Sequence, residues 1–352
     1  MKEIVKDKYP RPKFISLFMP EFQICPHMLD HNFIIKGQLG TGAFGSVLEV
    51  MKKDENGKRY ALKIQEKTKI FLLKNERQIK MEALIQSSMP SHPFIAKFFN
   101  TWQSKTHLYT LMEIIEKGDL FTEWDRQNGF SEDLIRIYGA EVALALDFLH
   151  SRRIIHRDIK LENIIVDGLG NLKLVDFGLS KILNNNCLAN TILGTLQYMA
   201  PEIRYGMPYN ECVDWWSLGV MMSIMFTCQY PFPVANVKRH EDLTFKGYCS
   251  PNGSLSFQIV VGLLKEQIFF RNLNFNAIYQ GRIRPILLWK KDDQIQRNKK
   301  RRIEKNVGNY FEEFDLTLTD HKEWLGETSD NNCIWERESS GIGSDSKCSD
   351  LF

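Results

Sequence analysis

Residues 156–178 restrict the fold of this chain more than any other stretch. They read His156-Arg157-Asp158-Ile159-Lys160-Leu161-Glu162-Asn163, with Asp176-Phe177-Gly178 beginning thirteen residues after the asparagine. Any one of these polar side chains alone would suit a solvated turn. The whole ordered set does not arise by chance, and it has chemical use only if the chain brings its members to one place. The chain has 352 residues, 43% of them hydrophobic and 25% charged, which is enough apolar material for two lobes around a cleft.

Upstream, Gly40-Thr41-Gly42-Ala43-Phe44-Gly45-Ser46-Val47 has the spacing Gly-x-Gly-x-x-Gly-x-Val. Glycines let the backbone approach phosphates and offer amide donors without side-chain obstruction. Alone, the motif also fits a plain glycine turn or a dinucleotide fold. The dinucleotide reading requires a following helix and then a ribose-binding acid. Here the strand-like Tyr60-Ala61-Leu62-Lys63-Ile64 follows instead. Apolar alternation over residues 32–64, broken at 37–40 and at Asp54-Glu55-Asn56-Gly57, predicts a small antiparallel sheet. Helical spacing from Lys67 to about Met89, ended by Pro90 and Pro93, predicts one helix interrupting it. Lys63 needs a carboxylate partner, and that helix offers Glu76 and Glu82; the spacing favours Glu82. Further strands are expected at 95–101 and 108–114, and a helix over 131–150 begins at Ser131 with Glu132 and Asp133.

The glycine loop with its lysine strand, the 156–163 stretch and Asp176-Phe177-Gly178 together resemble the protein kinase superfamily, over roughly residues 33–285. That resemblance implies an α+β, bilobal fold, with a small antiparallel-sheet lobe carrying one key helix and a mainly helical large lobe. The expected divisions are an N-terminal extension (1–31), small lobe (32–114), large lobe (115–285) and charged tail (286–352). It also implies transfer of the ATP γ-phosphoryl group with Mg2+. Asp158 would receive or orient the substrate hydroxyl proton, Lys160 would neutralise the γ-phosphate, and Asn163 with Asp176 would ligate magnesium. Leu39, Gly40, Thr41, Gly42, Ala43, Phe44, Gly45, Ser46, Val47, Ala61, Lys63 and Glu82 would surround ATP, with Glu113 and Ile115 at the hinge.

Gly194-Thr195-Leu196-Gln197-Tyr198-Met199-Ala200-Pro201-Glu202 resembles the end of a kinase activation segment. Thr195 matches the position that meets the catalytic aspartate and lysine in serine/threonine kinases. Thr191 matches a phosphorylation site of the AGC group, with Arg157 as receiver of the phosphate and an upstream kinase implied. Gly118-Asp119-Leu120-Phe121 and Phe269-Phe270-Arg271-Asn272 also resemble that group, and within it the ribosomal protein S-six kinase-related branch. Asp119 and Glu162 match acidic positions that read basic residues near the acceptor of a protein substrate. Ile224 stands where such kinases often place a further glutamate, and Gln86 stands where an apolar residue is usual. Between Leu264-Lys265-Glu266 and Phe269 a helical stretch of the family is missing, including the arginine that pairs with the glutamate matching Glu202. The large lobe is therefore expected to be shortened, and a catalytically silent, nucleotide-binding scaffold is the alternative to an active enzyme.

Tyr310-Phe311-Glu312-Glu313-Phe314-Asp315 resembles an AGC tail motif that docks on the lobes; a disordered acidic-aromatic tail is the other reading. Net charge is only +3 at neutral pH, which gives no support for specific nucleic-acid binding or membrane adsorption. Seven scattered cysteines include no Cys-x-x-Cys pair, and no run of about 18 apolar residues occurs. A reducing, cytoplasmic setting is expected, and the basic run 299–302 leaves nuclear entry open.

Overall fold

The computed structural model describes residues 15–54, 57–183, 188–231 and 268–285. All of them fall in one unit, Met1–Leu316. The six-stranded sheet of the small lobe has the order β1-β5-β6-β4-β3-β2. Its strands are β1 (Gln23–Ile24), β2 (Phe33–Gly42), β3 (Gly45–Lys52), β4 (Arg59–Glu66), β5 (Phe98–Gln103) and β6 (His107–Glu113). Pairing is antiparallel except between β1 and β5. The expected break at residues 37–40 is instead absorbed into β2 as two irregularities, at Ile35/Gly37 and Gln38/Gly40. Bulges keep both ends of a long ribbon in register while increasing its twist. Stacked Phe33, Trp102 and Tyr109 rings, with Val50, Tyr60, Leu62 and Leu111, fill one face of the sheet.

A short helix α1 (Met28–Asn32) precedes β2. The single helix expected after β4 is two helices, α2 (Lys67–Leu72) and α3 (Glu76–Ser88). Lys74 between them has φ 54°, and the Asn75 amide reaches back to the Ile70 carbonyl. A left-handed residue ends α2, and no glycine marks the place. Residues 15–24, expected only as an extension, are built into the small lobe: Phe18 and Phe22 are fully buried and β1 extends the sheet.

The large lobe centres on α5 (Glu132–His150), capped as expected by Ser131, whose Oγ accepts the Leu134 amide. Its apolar faces pack with α4 (Leu120–Arg126), α7 (Cys212–Thr227), Phe270, and Phe275 and Ile278 of α8 (Phe275–Tyr279) in one core. Two short strand pairs hold the loop segments on it: β7 (Ile154–Ile155) with β10 (Lys181–Ile182), and β8 (Ile164–Val166) with β9 (Leu172–Leu174). Between β10 and α7 lies the one-turn helix α6 (Pro201–Arg204). The helix that apolar spacing predicts at 256–265, the stretch after it that is expected to be shortened and the aromatic tail motif at 310–315 lie outside the described residues.

Lys67 is unusual among the small-lobe residues: only 2% exposed, with Nζ donating to Gln103 Oε1 at 2.6 Å and to the Ser104 carbonyl at 2.7 Å. Burial lowers its ammonium to about 8. The unfolded chain holds the extra proton between about pH 8 and the ordinary lysine value. Stability therefore rises with pH through that window, by up to about 3 kcal/mol from this residue. Denaturant melts of wild type and Lys67→Met at pH 7, 8.5 and 10 should show the rise in the wild type alone.

Candidate active site

The glycine ribbon is the turn of the β2–β3 hairpin. Gly42 pairs with Gly45, Thr41 with Ser46 and Gly40 with Val47, and Ala43-Phe44 make the bend. The three glycines have different physical reasons. A Cβ on Gly45 would lie 1.9 Å from the Ile64 carbonyl oxygen, so the neighbouring strand excludes any side chain there. Around Gly40 and Gly42 nothing lies within 4 Å of such a Cβ, which leaves that side open to a ligand. Val47 faces Lys63 across the ladder, and Ala61 is buried beneath it on β4. Leu39 is 49% exposed on β2. Glu113 ends β6, its carboxylate accepting the Lys97 amide and Lys173 Nζ, and Ile115 lies in the linker that leads to the large lobe.

Lys63 Nζ bonds Glu82 Oε1 at 2.6 Å and stands 4.0 Å from Asp176 Oδ1. Of the two candidate glutamates, the pairing falls to Glu82; Glu76 sits in the first turn of α3. Burial opposes the Lys63 charge, yet the Glu82 and Asp176 carboxylates hold its ammonium above the usual lysine range. One turn along, Gln86 is buried. Its amide reaches Met112 Sδ at 3.9 Å, and its Oε1 has no partner among the described residues.

In the loop after β7 the polar set closes on Asp158. The Thr195 hydroxyl donates to Asp158 Oδ1 at 2.7 Å, and the Asn163 amide donates to Oδ2 at 2.7 Å. Lys160 Nζ lies 3.2 Å from Oδ2 and donates to the Thr195 hydroxyl at 2.8 Å. Asn163 also donates to the Asp158 carbonyl, so its own carbonyl oxygen remains as an acceptor. Asp176 has φ 54° and takes the Gly178 amide on Oδ1 at 3.0 Å, while its neighbour Phe177 is sunk in the large-lobe core. Burial would raise the Asp176 carboxyl, but the Lys63 ammonium and the Gly178 amide hold it below its ordinary value. The Gln78 side chain of α3 donates to the Gly178 carbonyl, tying that helix to the same loop.

The loop's backbone is fixed from below by Asp214 of α7. Its Oδ2 accepts the His156 amide at 2.8 Å and faces His150 Nε2 at 2.8 Å, and its Oδ1 accepts the Arg157 amide at 2.7 Å. Arg157, itself left-handed at φ 69°, spans to the Leu179 carbonyl, the Thr191 hydroxyl at 2.9 Å and the Tyr209 hydroxyl. Thr191 is exposed.

The protein kinase domain family model matches residues 33–253, more than half of the chain. The chain belongs to the protein kinase family. Among its curated relatives, a Caenorhabditis elegans protein named only provisionally as a serine/threonine-protein kinase is 42% identical over 296 residues. That match covers 79% of this chain and 67% of the relative. The human "Ribosomal protein S6 kinase-related protein" is 42% identical over 233 residues, 66% of this chain and 56% of the relative. The "cAMP-dependent protein kinase catalytic subunit" of Schizosaccharomyces pombe is 38% identical over 249 residues, 69% and 47%. This kinase chain thus spans about half the length of the last two. The similarity to both places it with AGC-type kinases, as its motifs predict.

Two acidic residues of this kinase have structural surroundings that the sequence does not announce. Asp119 caps α4, its two oxygens taking the Thr122 amide and hydroxyl at 2.8 Å each. Glu162 keeps a buried Oε2 without a partner among the described residues, and burial, with Asp158 and Asp119 nearby, pushes its carboxyl up. Ile224 is buried in the large-lobe core. The Glu202 carboxyl is pushed up by burial, and no cation faces it among the described residues.

Proposed function

We propose that this chain transfers the γ-phosphoryl group of Mg-ATP to serine and threonine hydroxyls of protein substrates, in intracellular signalling and from the cytoplasm. One observation carries the reading most: the Thr195 hydroxyl, the Lys160 ammonium and the Asn163 amide converge on the Asp158 carboxylate. Asp158 orients the acceptor hydroxyl and receives its proton, and Lys160 offsets charge on the transferred group. Lys63, seated by Glu82, neutralises the α- and β-phosphates, while the open side of Gly40 and Gly42 admits them to backbone amides. The Asp176 carboxylate, half-exposed at 51%, and the free carbonyl of Asn163 are hard oxygen donors of the kind and small number that magnesium takes beside phosphate oxygens. Magnesium, when bound there, supplies neutralisation of the phosphate charge. Glu113 and Ile115 present main-chain groups to the adenine.

Radiolabel from Mg-ATP should pass to a protein acceptor and be recovered on serine or threonine. Lys63→Met should lose most of that transfer. Equal background counts from both proteins would favour the second reading, a catalytically silent nucleotide-binding scaffold, which is supported by the polar Gln86 and by Glu202, faced by no cation among the described residues.

Two finer readings follow from the same geometry. Glu162, whose Oε2 has no partner among the described residues, lies beside Asp119 and Asp158 and suits a basic residue upstream of the acceptor, and an oriented peptide library should enrich arginine there; a flat profile at the upstream positions would refute it. Thr191, exposed and already on Arg157, is the site at which an upstream kinase would act, since a phosphate there would make charge-assisted bonds to that guanidinium.

A further inference from the structure

The helix that carries Glu82 rests its inner face on the large-lobe core through Ile85 and Met81. Asn75 at its N-cap makes no side-chain capping bond, and its one described side-chain bond to the large lobe is that of Gln78. What covers its outer face is the segment before the family match. Phe18 and Phe22, at 0% and 1% exposure, form one cluster with Ile79 and Ala83 of α3, Ile70 of α2 and Leu108 of β6. The two rings meet edge to face at 6.3 Å.

Polar bonds fasten the same segment on both sides. Towards α3, Lys80 Nζ donates to the Met19 carbonyl at 2.9 Å and pairs with Glu21 at 3.2 Å. Towards the sheet, the Thr101 hydroxyl donates to the Glu21 carbonyl at 2.6 Å, and the Gln103 amide donates to the carbonyls of Phe22 at 2.6 Å and Ile15 at 3.1 Å. Gln103 in turn receives Lys67, whose Nζ sits 5.7 Å from the Phe18 ring. The segment is therefore a strap, bonded to β5 at one edge and to α3 at the other.

Ile79 and Ala83 lie at −3 and +1 from Glu82, so they share its turn of helix. A shift of that turn moves the Glu82 carboxylate, and the 2.6 Å bond to Lys63 tolerates little movement. We propose that Phe18 and Phe22 are positioning residues for phosphoryl transfer: residues 15–24 seat α3 so that Glu82 holds Lys63 towards Asp176. The catalytic part of this inference rests on the kinase reading above; the mechanical part does not.

The test uses the full chain as wild type, as Phe18→Ala with Phe22→Ala, and as Phe18→Leu with Phe22→Leu. Amide hydrogen exchange is followed in α3 and, as an internal reference, in α5. Phosphoryl transfer is measured with separate kcat and KM for ATP. The alanine pair should raise exchange in α3 at least 10-fold with α5 unchanged, and lower kcat at least 10-fold; the leucine pair should restore both. Wild-type exchange in α3 of the alanine pair would overturn the proposal. So would equal loss of protection in α5, which would make the two rings merely structural, or a kcat that stays at the wild-type value while α3 loosens. If the wild type transfers no phosphate, the kinase reading fails, and the exchange comparison still decides whether the strap seats α3.

Discussion

Asp158→Asn is expected to lower kcat by about 10²–10⁴-fold, the usual worth of a positioned general base, with nucleotide affinity unchanged. The amide can still occupy the position between Thr195, Lys160 and Asn163, but it cannot take a proton from the acceptor hydroxyl. Steady-state kinetics beside calorimetric titration with ATP analogue separates the two quantities. Loss of binding together with turnover would show that the variant disturbed the loop rather than the proton transfer. The geometry argues against that, because Asp214 holds the backbone amides of His156 and Arg157 independently of the Asp158 side chain.

Asp214→Ala is expected to be the most destabilising single change at the site. It removes the acceptor of two buried amides, His156 and Arg157, and the partner of the buried His150 ring, all within 2.8 Å. Breaking a buried charged network by deleting one member costs about 3–5 kcal/mol. Denaturant melts monitored by fluorescence would measure it, and a loss under 1 kcal/mol would contradict the anchoring role. The same carboxylate links stability to acid. Burial would raise it, but hydrogen bonds from His150 and the His156 amide hold it below the usual aspartate range. Its contribution is complete above the unfolded value near pH 4 and falls away as pH drops through the lower folded value.

The chemistry was more legible than the scaffolding because its residues lie close together in the chain. From His156 to Asp176 a single loop and its flanking strands supply Asp158, Lys160, Asn163 and Asp176, so order along the sequence nearly fixes order in space. Glu82 could be picked over Glu76 from a distance of nineteen residues, since one strand and one helix intervene. The split between α2 and α3 was hidden, because Lys74 takes a left-handed conformation that the sequence would mark only with glycine or asparagine. Asp119 stands out in the sequence only as an acid of the motif Gly118-Asp119-Leu120-Phe121; its role as a helix cap depends on where α4 starts. The strap was least legible of all. Phe18 and Phe22 show no sustained period, and their cavity is assembled from α2, α3 and β6, which all lie tens of residues further along the chain.

The strap also separates two boundaries that are easily taken as one. The family pattern begins at residue 33, whereas the apolar interior of the small lobe includes the rings of Phe18 and Phe22. A recombinant fragment trimmed to the pattern would present Ile79, Ala83 and Leu108 to water as a sticky patch and leave the Lys67–Gln103 pair uncovered. Poor solubility of such a fragment would then reflect where it was cut, and the shortest well-behaved piece of this kinase should begin no later than residue 15.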